Sequence, residues 1–117
     1  MFRFDRQWKV YVHREAVDFR KSINGLAALV EQGLGLDAFS ATLFVFANAR
    51  HNRVKILGWE TNGFWLLMKR LEADRFVWPQ AQEAVIELSV EQLHWLLEGI
   101  DLEAMRAHQI LRYKRAS

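Results

Sequence analysis

Two cations, Lys55 and Arg70, are placed where chemistry could follow from position alone. The stretches Arg53–Trp59 and Phe64–Leu71 alternate in polarity, and Asn62-Gly63 lies between them. An Asn-Gly pair suits a type I′ turn, which needs positive φ at both central residues. With that turn, Lys55 falls opposite Arg70, Arg53 opposite Glu72, Leu57 opposite Met68 and Trp59 opposite Leu66, all on one face. A four-residue loop shifts the pairing by two and leaves the same residues on that face. Like charges directly opposite each other destabilise a sheet. Three things relieve them: an anion held between them, such as a nucleic-acid phosphate; a neighbouring acid such as Glu72; or stems that carry both charges out to water.

A second such place is the segment after Asp18. Asp18 is the expected N-cap of a helix in which Phe19, Ile23, Leu26 and Val30 recur at helical spacing, with Leu29 widening the stripe. Arg20 and Lys21 then fall in its first turn, where cations oppose the helix dipole. A bound anion there reverses that penalty, and Asp18 compensates it locally if none binds. Lys69 joins these as a further cation of the hairpin. The candidate nucleic-acid-binding residues are thus Arg20, Lys21, Arg53, Lys55, Lys69 and Arg70. Arg50 and Arg75 belong to the same basic group along the chain. Aromatic residues from Phe44 to Trp78 are interleaved with it, a composition suited to stacking on unpaired bases as well as to a core. Trp59 and Trp65 point to opposite faces of the hairpin, so one of the two is expected to be exposed or at an interface.

Enzymatic chemistry finds less support. His13, His51, His94 and His108 have no ligand-like spacing. There is no phosphate-binding glycine loop and no nucleophile elbow. Asp18, Glu60 and Asp101 make a metal set only if the fold happens to bring them together. No catalytic residue, metal or cofactor is expected.

The elements that must position these residues are readable in outline. Lys9–His13 reads as a strand, as do Thr42–Phe46, the two arms of the hairpin, and Ala84–Leu88 at a sheet edge. Phe76-Val77-Trp78-Pro79 is a short extended piece. Ser89 and Gln92 have capping-box spacing ahead of Leu93, Leu96, Leu97 and Ile100, and Gly99 marks the end of that helix. Residues 101–113 suit one more helix. The expected fold is α+β: an antiparallel sheet of four to five strands with a central Asn-Gly hairpin, packed by an N-terminal and a C-terminal helix.

Size and composition fit one domain over residues 1–117. Hydrophobic residues make up 51%, enough for a core, and cysteine is absent, in keeping with a reducing compartment. The net charge is only +2, so the distribution of charge matters more than its sum. Charges begin within the first six residues and no apolar run is long enough to span a bilayer. The expectation is a cytoplasmic protein without a membrane partner.

Five blocks in order resemble a known family: Leu43-Phe44-Val45-Phe46, Arg53-Val54-Lys55-Ile56-Leu57-Gly58-Trp59, Asn62-Gly63-Phe64, Lys69-Arg70-Leu71-Glu72 and Arg75-Phe76-Val77-Trp78-Pro79. They are similar to the signature of the TnpB accessory proteins, the Orf2-like family of insertion-sequence-66-type bacterial transposons. Asp18–Leu26 and Leu88–Asp101 resemble its flanking helices, so the resemblance covers about residues 9–101 and leaves 102–117 as a basic C-terminal extension. It implies a helper in transposition alongside a separate, larger transposase that carries the cutting chemistry, with no catalytic residues to transfer. The turn Ala47–Asn52 has fewer cations than is usual in the family. The leading expectation is a non-catalytic accessory factor that binds DNA within the transposition complex. The other is an interaction module that docks on the transposase, or self-associates as a homo-oligomer, through an exposed tryptophan, Trp59 or Trp65, or through an unpaired edge strand.

Overall fold

Alternating apolar residues build the strands. In a computed structural model, which describes residues 4–105, the chain runs through β1 (Lys9–His13), α1 (Ile23–Ala28), β2 (Thr42–Ala47), β3 (Arg53–Glu60), β4 (Gly63–Arg70), β5 (Val85–Leu88) and α2 (Val90–Leu97). A single π-helical turn, Leu29–Gly33, continues α1. A Cβ on Gly33 would come within 2.9 Å of the Leu29 Cδ1, so a larger residue there would require the end of the Leu29 side chain to shift.

The strands form one sheet in the order β4-β3-β2-β1-β5. It is mostly antiparallel, as expected, with one exception. β1 and β2 run parallel, Lys9 beside Thr42 and Val12 beside Val45. A parallel pair needs a long crossover, and residues 14–41, which carry α1, supply it.

Alternation along each strand sorts the side chains onto two faces, and both are covered. Val10, Val12, Leu43, Val45, Val54, Ile56 and Leu88 pack with Leu93 and Leu96 of α2 and with Phe76 and Trp78. On the other face, Phe44, Phe46 and Leu57 pack with Leu26, Val30 and Ala38 from α1 and the chain after it. β2 is buried along its whole length as a result.

Ser89 begins α2 with a complete capping box: its hydroxyl accepts from the Gln92 N–H at 3.1 Å, and the Gln92 side chain accepts from the Ser89 N–H at 2.9 Å. Gly99, at φ +86°, ends the helix as its sequence position suggests. A further helical turn covers residues 102–105, where the Asp101 carboxylate accepts from the Glu103 N–H. The rest of the expected helix over 101–113, and the basic extension from Arg106 onward, lie outside the described residues.

Two local expectations are corrected. The hairpin does not turn on Asn62-Gly63. Glu60 pairs with Gly63, so the loop is Thr61-Asn62, and the positive φ, 52°, falls on Thr61. Gly63 is a strand residue outside the left-handed region. This register sets Trp59 beside Phe64 with ring centroids 5.0 Å apart, and Phe39 closes on both at 4.9 and 5.3 Å. Aromatic packing of this kind outweighs the preference of a short turn for Asn-Gly. The second correction is at α1. Its N-cap is Ser22, which makes no side-chain cap. Asp18 instead turns back on its own neighbours, accepting from the Arg20 N–H at 2.9 Å.

Candidate nucleic-acid interface

The shifted register changes which cations meet. Arg70 lies opposite Arg53, and Lys55 lies opposite Met68. The shift is by two, so Arg53, Lys55 and Arg70 keep the common face expected of them, the one covered by α1. Arg70 is neutralised by Glu72, whose carboxylate accepts from its guanidinium at 2.8 and 3.0 Å. The Arg53 side chain is exposed and makes no hydrogen bond or ion pair among the described residues.

Lys55 is occupied with structure. Its ammonium donates to the carbonyls of Phe19 at 2.8 Å and Lys21 at 2.7 Å and stands 4.8 Å from the centre of the Phe19 ring. This ties the segment ahead of α1 to the sheet. The Val17 N–H adds a second tie, donating to the Ala47 carbonyl at 2.9 Å. Arg20 and Lys21 are thereby held beside Lys55. They precede α1, so they do not load its first turn. Lys69 alternates to the opposite face, where its ammonium donates to the Leu97 carbonyl at 2.7 Å and caps the C-terminus of α2.

More cations reach the same end of the sheet through backbone bracing. The Phe76 N–H donates to the His51 carbonyl and the Leu71 N–H to the Asn52 carbonyl, at 2.7 and 2.8 Å. These bonds bring the β2–β3 turn, with Arg50, against the segment after β4, with Arg75. Asn48 shapes the turn by accepting from the N–H groups of Asn52 and Arg53. The same end of the sheet therefore carries Arg50, Arg53, Arg70 and Arg75, with Arg20 and Lys21 on the segment that Lys55 holds and the Arg14–Glu15 pair just past β1, among the acids Glu15, Asp18, Glu72 and Asp74. Lys21, Arg50, Arg53 and Arg75 are exposed there, with no side-chain hydrogen bond or ion pair among the described residues. Arg50 and Arg75 stand apart in sequence, grouped there with the other cations but not among the candidate site residues. The sign that they converge is the alternation Phe76-Val77-Trp78, which anchors that segment to the sheet.

Asp18 accepts from the Arg20 guanidinium at 2.6 to 3.1 Å. That side-chain hydrogen bond, then the one from the Arg20 backbone, lower its pKa from 3.8 to about 2, against an opposing effect of desolvation. A depressed carboxylate stabilises the fold above its unfolded value and loses that contribution as the pH falls through the folded one. The contribution of Asp18 is therefore complete above about pH 4 and lost towards pH 2. A carbon-detected NMR titration of the Asp18 carboxyl should show a midpoint near 2, and Arg20→Ala should return it to the ordinary carboxylate range.

The two tryptophans separate as their alternation predicts. Trp59 is half-buried in the cluster with Phe39 and Phe64. Trp65 is 56% exposed on the α2 side of β4, with its Nε1–H donating to Glu60 at 2.7 Å. Asp18, Glu60 and Asp101 are each engaged locally, with Arg20, Trp65 and the Glu103 backbone. Among the described residues no three His, Cys, Asp or Glu side chains lie together as a metal-holding group. No helix of these residues is long and apolar enough to cross a membrane.

A five-stranded mixed sheet with helices on both faces and cations gathered at one end defines an α+β protein with a basic rim. The chain belongs to the family described as IS66 Orf2 like protein, whose model matches residues 8–107. It is thus a transposition-associated accessory protein of the insertion-sequence-66 type. Two relatives from Sinorhizobium fredii are similar over most of their length. "Uncharacterized protein y4jC" is 31% identical over 92% of each chain. "Uncharacterized protein y4hO" is 36% identical over 80% of this chain and 81% of its own. No solved structure matches the chain.

Proposed function

We propose that the protein binds DNA within the transposition complex of a bacterial insertion sequence, in the cytoplasm, and catalyses no step of the reaction itself. It would act beside a separate transposase chain of the same element. The observation that carries this reading is the pairing of Arg53 with Arg70 on one face, next to the Arg20–Lys21 segment that Lys55 holds. Glu72 and Asp18 neutralise Arg70 and Arg20. Arg53, Lys21, Arg50 and Arg75 remain to meet phosphates, whose neutralisation dominates affinity for nucleic acids. Lys69 has no part in this surface, because it faces α2.

Fluorescence anisotropy with labelled duplex and single-stranded DNA, run across a salt series, tests the proposal. Affinity should fall steeply with salt. The double substitution Lys21→Ala/Arg53→Ala should lower the slope of log K against log salt by about 2 without changing the thermal midpoint. Absence of binding to any DNA at low salt, or a double variant that binds like the wild type, would refute it. A second reading, docking on another protein without DNA contact, is favoured by the exposed indole of Trp65. Capture of the transposase in high salt, insensitive to nuclease, would support that reading instead.

A further inference from the structure

β4 is an edge strand whose charged protection is confined to its last two residues, Lys69 and Arg70. It runs for eight residues in unbroken register, with no proline, no bulge and no acidic residue. The opposite edge, β5, has only four residues and carries Glu87. The outward groups of β4 follow from its end. The Leu71 N–H points back into the sheet, to the Asn52 carbonyl. Backbone direction alternates along a strand, so the peptide groups of Phe64, Leu66, Met68 and Arg70 point away from β3. They are hydrogen-bonded to nothing among the described residues. Trp65 and Met68, 56% and 61% exposed, stand on opposite faces of this same strand.

We infer that β4 pairs with β4 of a second copy, antiparallel about a twofold axis at Leu67, so that the two sheets become continuous. Charge selects the direction. Both cations of β4 lie at its C-terminal end, Lys69 and Arg70, and rings lie at the other, Phe64 and Trp65. A parallel pair would oppose cation to cation. The antiparallel pair sets Lys69 against the second copy's Trp65 and Arg70 against the second copy's Phe64, both cation–π arrangements. Shape selects the register. On the α2 face, a groove of about 280 Å³ opens between β4 and α2, lined by Ile56, Leu67, Lys69 and Leu97 among others. With Leu67 on the axis, the second copy's Trp65 falls across from Lys69, at the mouth of this groove. Each copy offers one exposed indole and one apolar groove, as a twofold interface requires. The inference does not depend on DNA contact.

Sedimentation of the full chain up to about 100 μM should show a dimer. Met68→Pro removes only an outward N–H that has no partner in the single chain, and an edge strand tolerates this. Trp65→Lys opposes two ammonium groups across the axis. Each should weaken dimerisation by about tenfold or more with the thermal midpoint of the monomer retained. Register is read separately, because the chain has no cysteine of its own. Leu67→Cys should form a disulfide between copies under mild oxidation, as its Cα atoms would lie at bridging distance. Trp65→Cys should not, since its two copies would stand roughly 13 Å apart along the strands. A wild-type monomer throughout this range, a dimer indifferent to both substitutions, or equal crosslinking at the two positions would overturn the inference.

Discussion

Trp78→Ala should cost about 3–5 kcal/mol, the usual range for removing a buried large aromatic side chain. Trp78 is only 5% exposed and packs in the α2-side core. Its position explains why the loss should reach the upper part of that range. β4 and β5 sit at opposite edges of the sheet, so residues 71–84 must travel from one edge to the other. Trp78 is the anchor of that crossing. Its indole N–H donates to the His13 carbonyl at 3.1 Å, and its ring stacks on His51 at 5.7 Å. Arg14 holds the far side of the crossing through the carbonyls of Ala81 and Gln82. Trp78→Phe keeps most of the apolar volume and loses the hydrogen bond, which should cost about 1–2 kcal/mol. Urea unfolding should show the midpoint of Trp78→Ala well below that of Trp78→Phe, at similar slope. Near-equal midpoints would mean that the ring is not the anchor.

The crossing also marks the boundary of what sequence could reveal. Strands whose patterns are local were readable almost to the residue: Lys9–His13 as written, Thr42–Phe46 one residue short, and the capping box at Ser89 complete. Which side chains share a face was readable too, because period-two alternation survives a register shift of two, whereas what covers each face was not. Alternation likewise sets Lys69 on the face opposite Arg70, a separation already implicit in their adjacency. What the sequence could not supply were decisions made by partners distant along the chain. Phe39, from the segment between α1 and β2, closes on Trp59 and Phe64 and fixes the hairpin register that Asn62-Gly63 was expected to set. Arg20 captures the carboxylate expected to cap α1. The parallel pairing of β1 with β2 depends on where the α1 crossover returns, and no local pattern encodes that. The basic end follows the same rule. Arg53 and Arg70 share it by strand geometry, whereas Arg50 and Arg75 join it only through the bonds between the two turns.

Lys55→Met should destabilise the fold by about 2–3 kcal/mol, and this separates its role from that of Arg53. The methionine keeps the apolar stem beside Phe46, its cross-strand partner, and deletes both charged hydrogen bonds to the Phe19 and Lys21 carbonyls. Hydrogen bonds made by a charged group are each worth about 1.5–3 kcal/mol, and partial exposure of this pair discounts the loss to at or below the bottom of the range for two such bonds. Freed of Lys55, the segment carrying Arg20 and Lys21 keeps its Val17 tie and loses its hold on β3. DNA affinity should therefore fall as well, through displacement of Lys21 and loss of one charge together. Arg53→Ala has no such bond to break and should change affinity at constant stability. Measuring unfolding midpoint and DNA affinity on both variants distinguishes the two roles. If Lys55→Met unfolds at the wild-type midpoint, its ammonium is not a structural tie, and it rejoins Arg53 as a candidate for direct phosphate contact. If it loses stability and affinity together while Arg53→Ala loses affinity alone, the cation of this hairpin that was most conspicuous in the sequence builds the basic end, and its less conspicuous neighbour uses it.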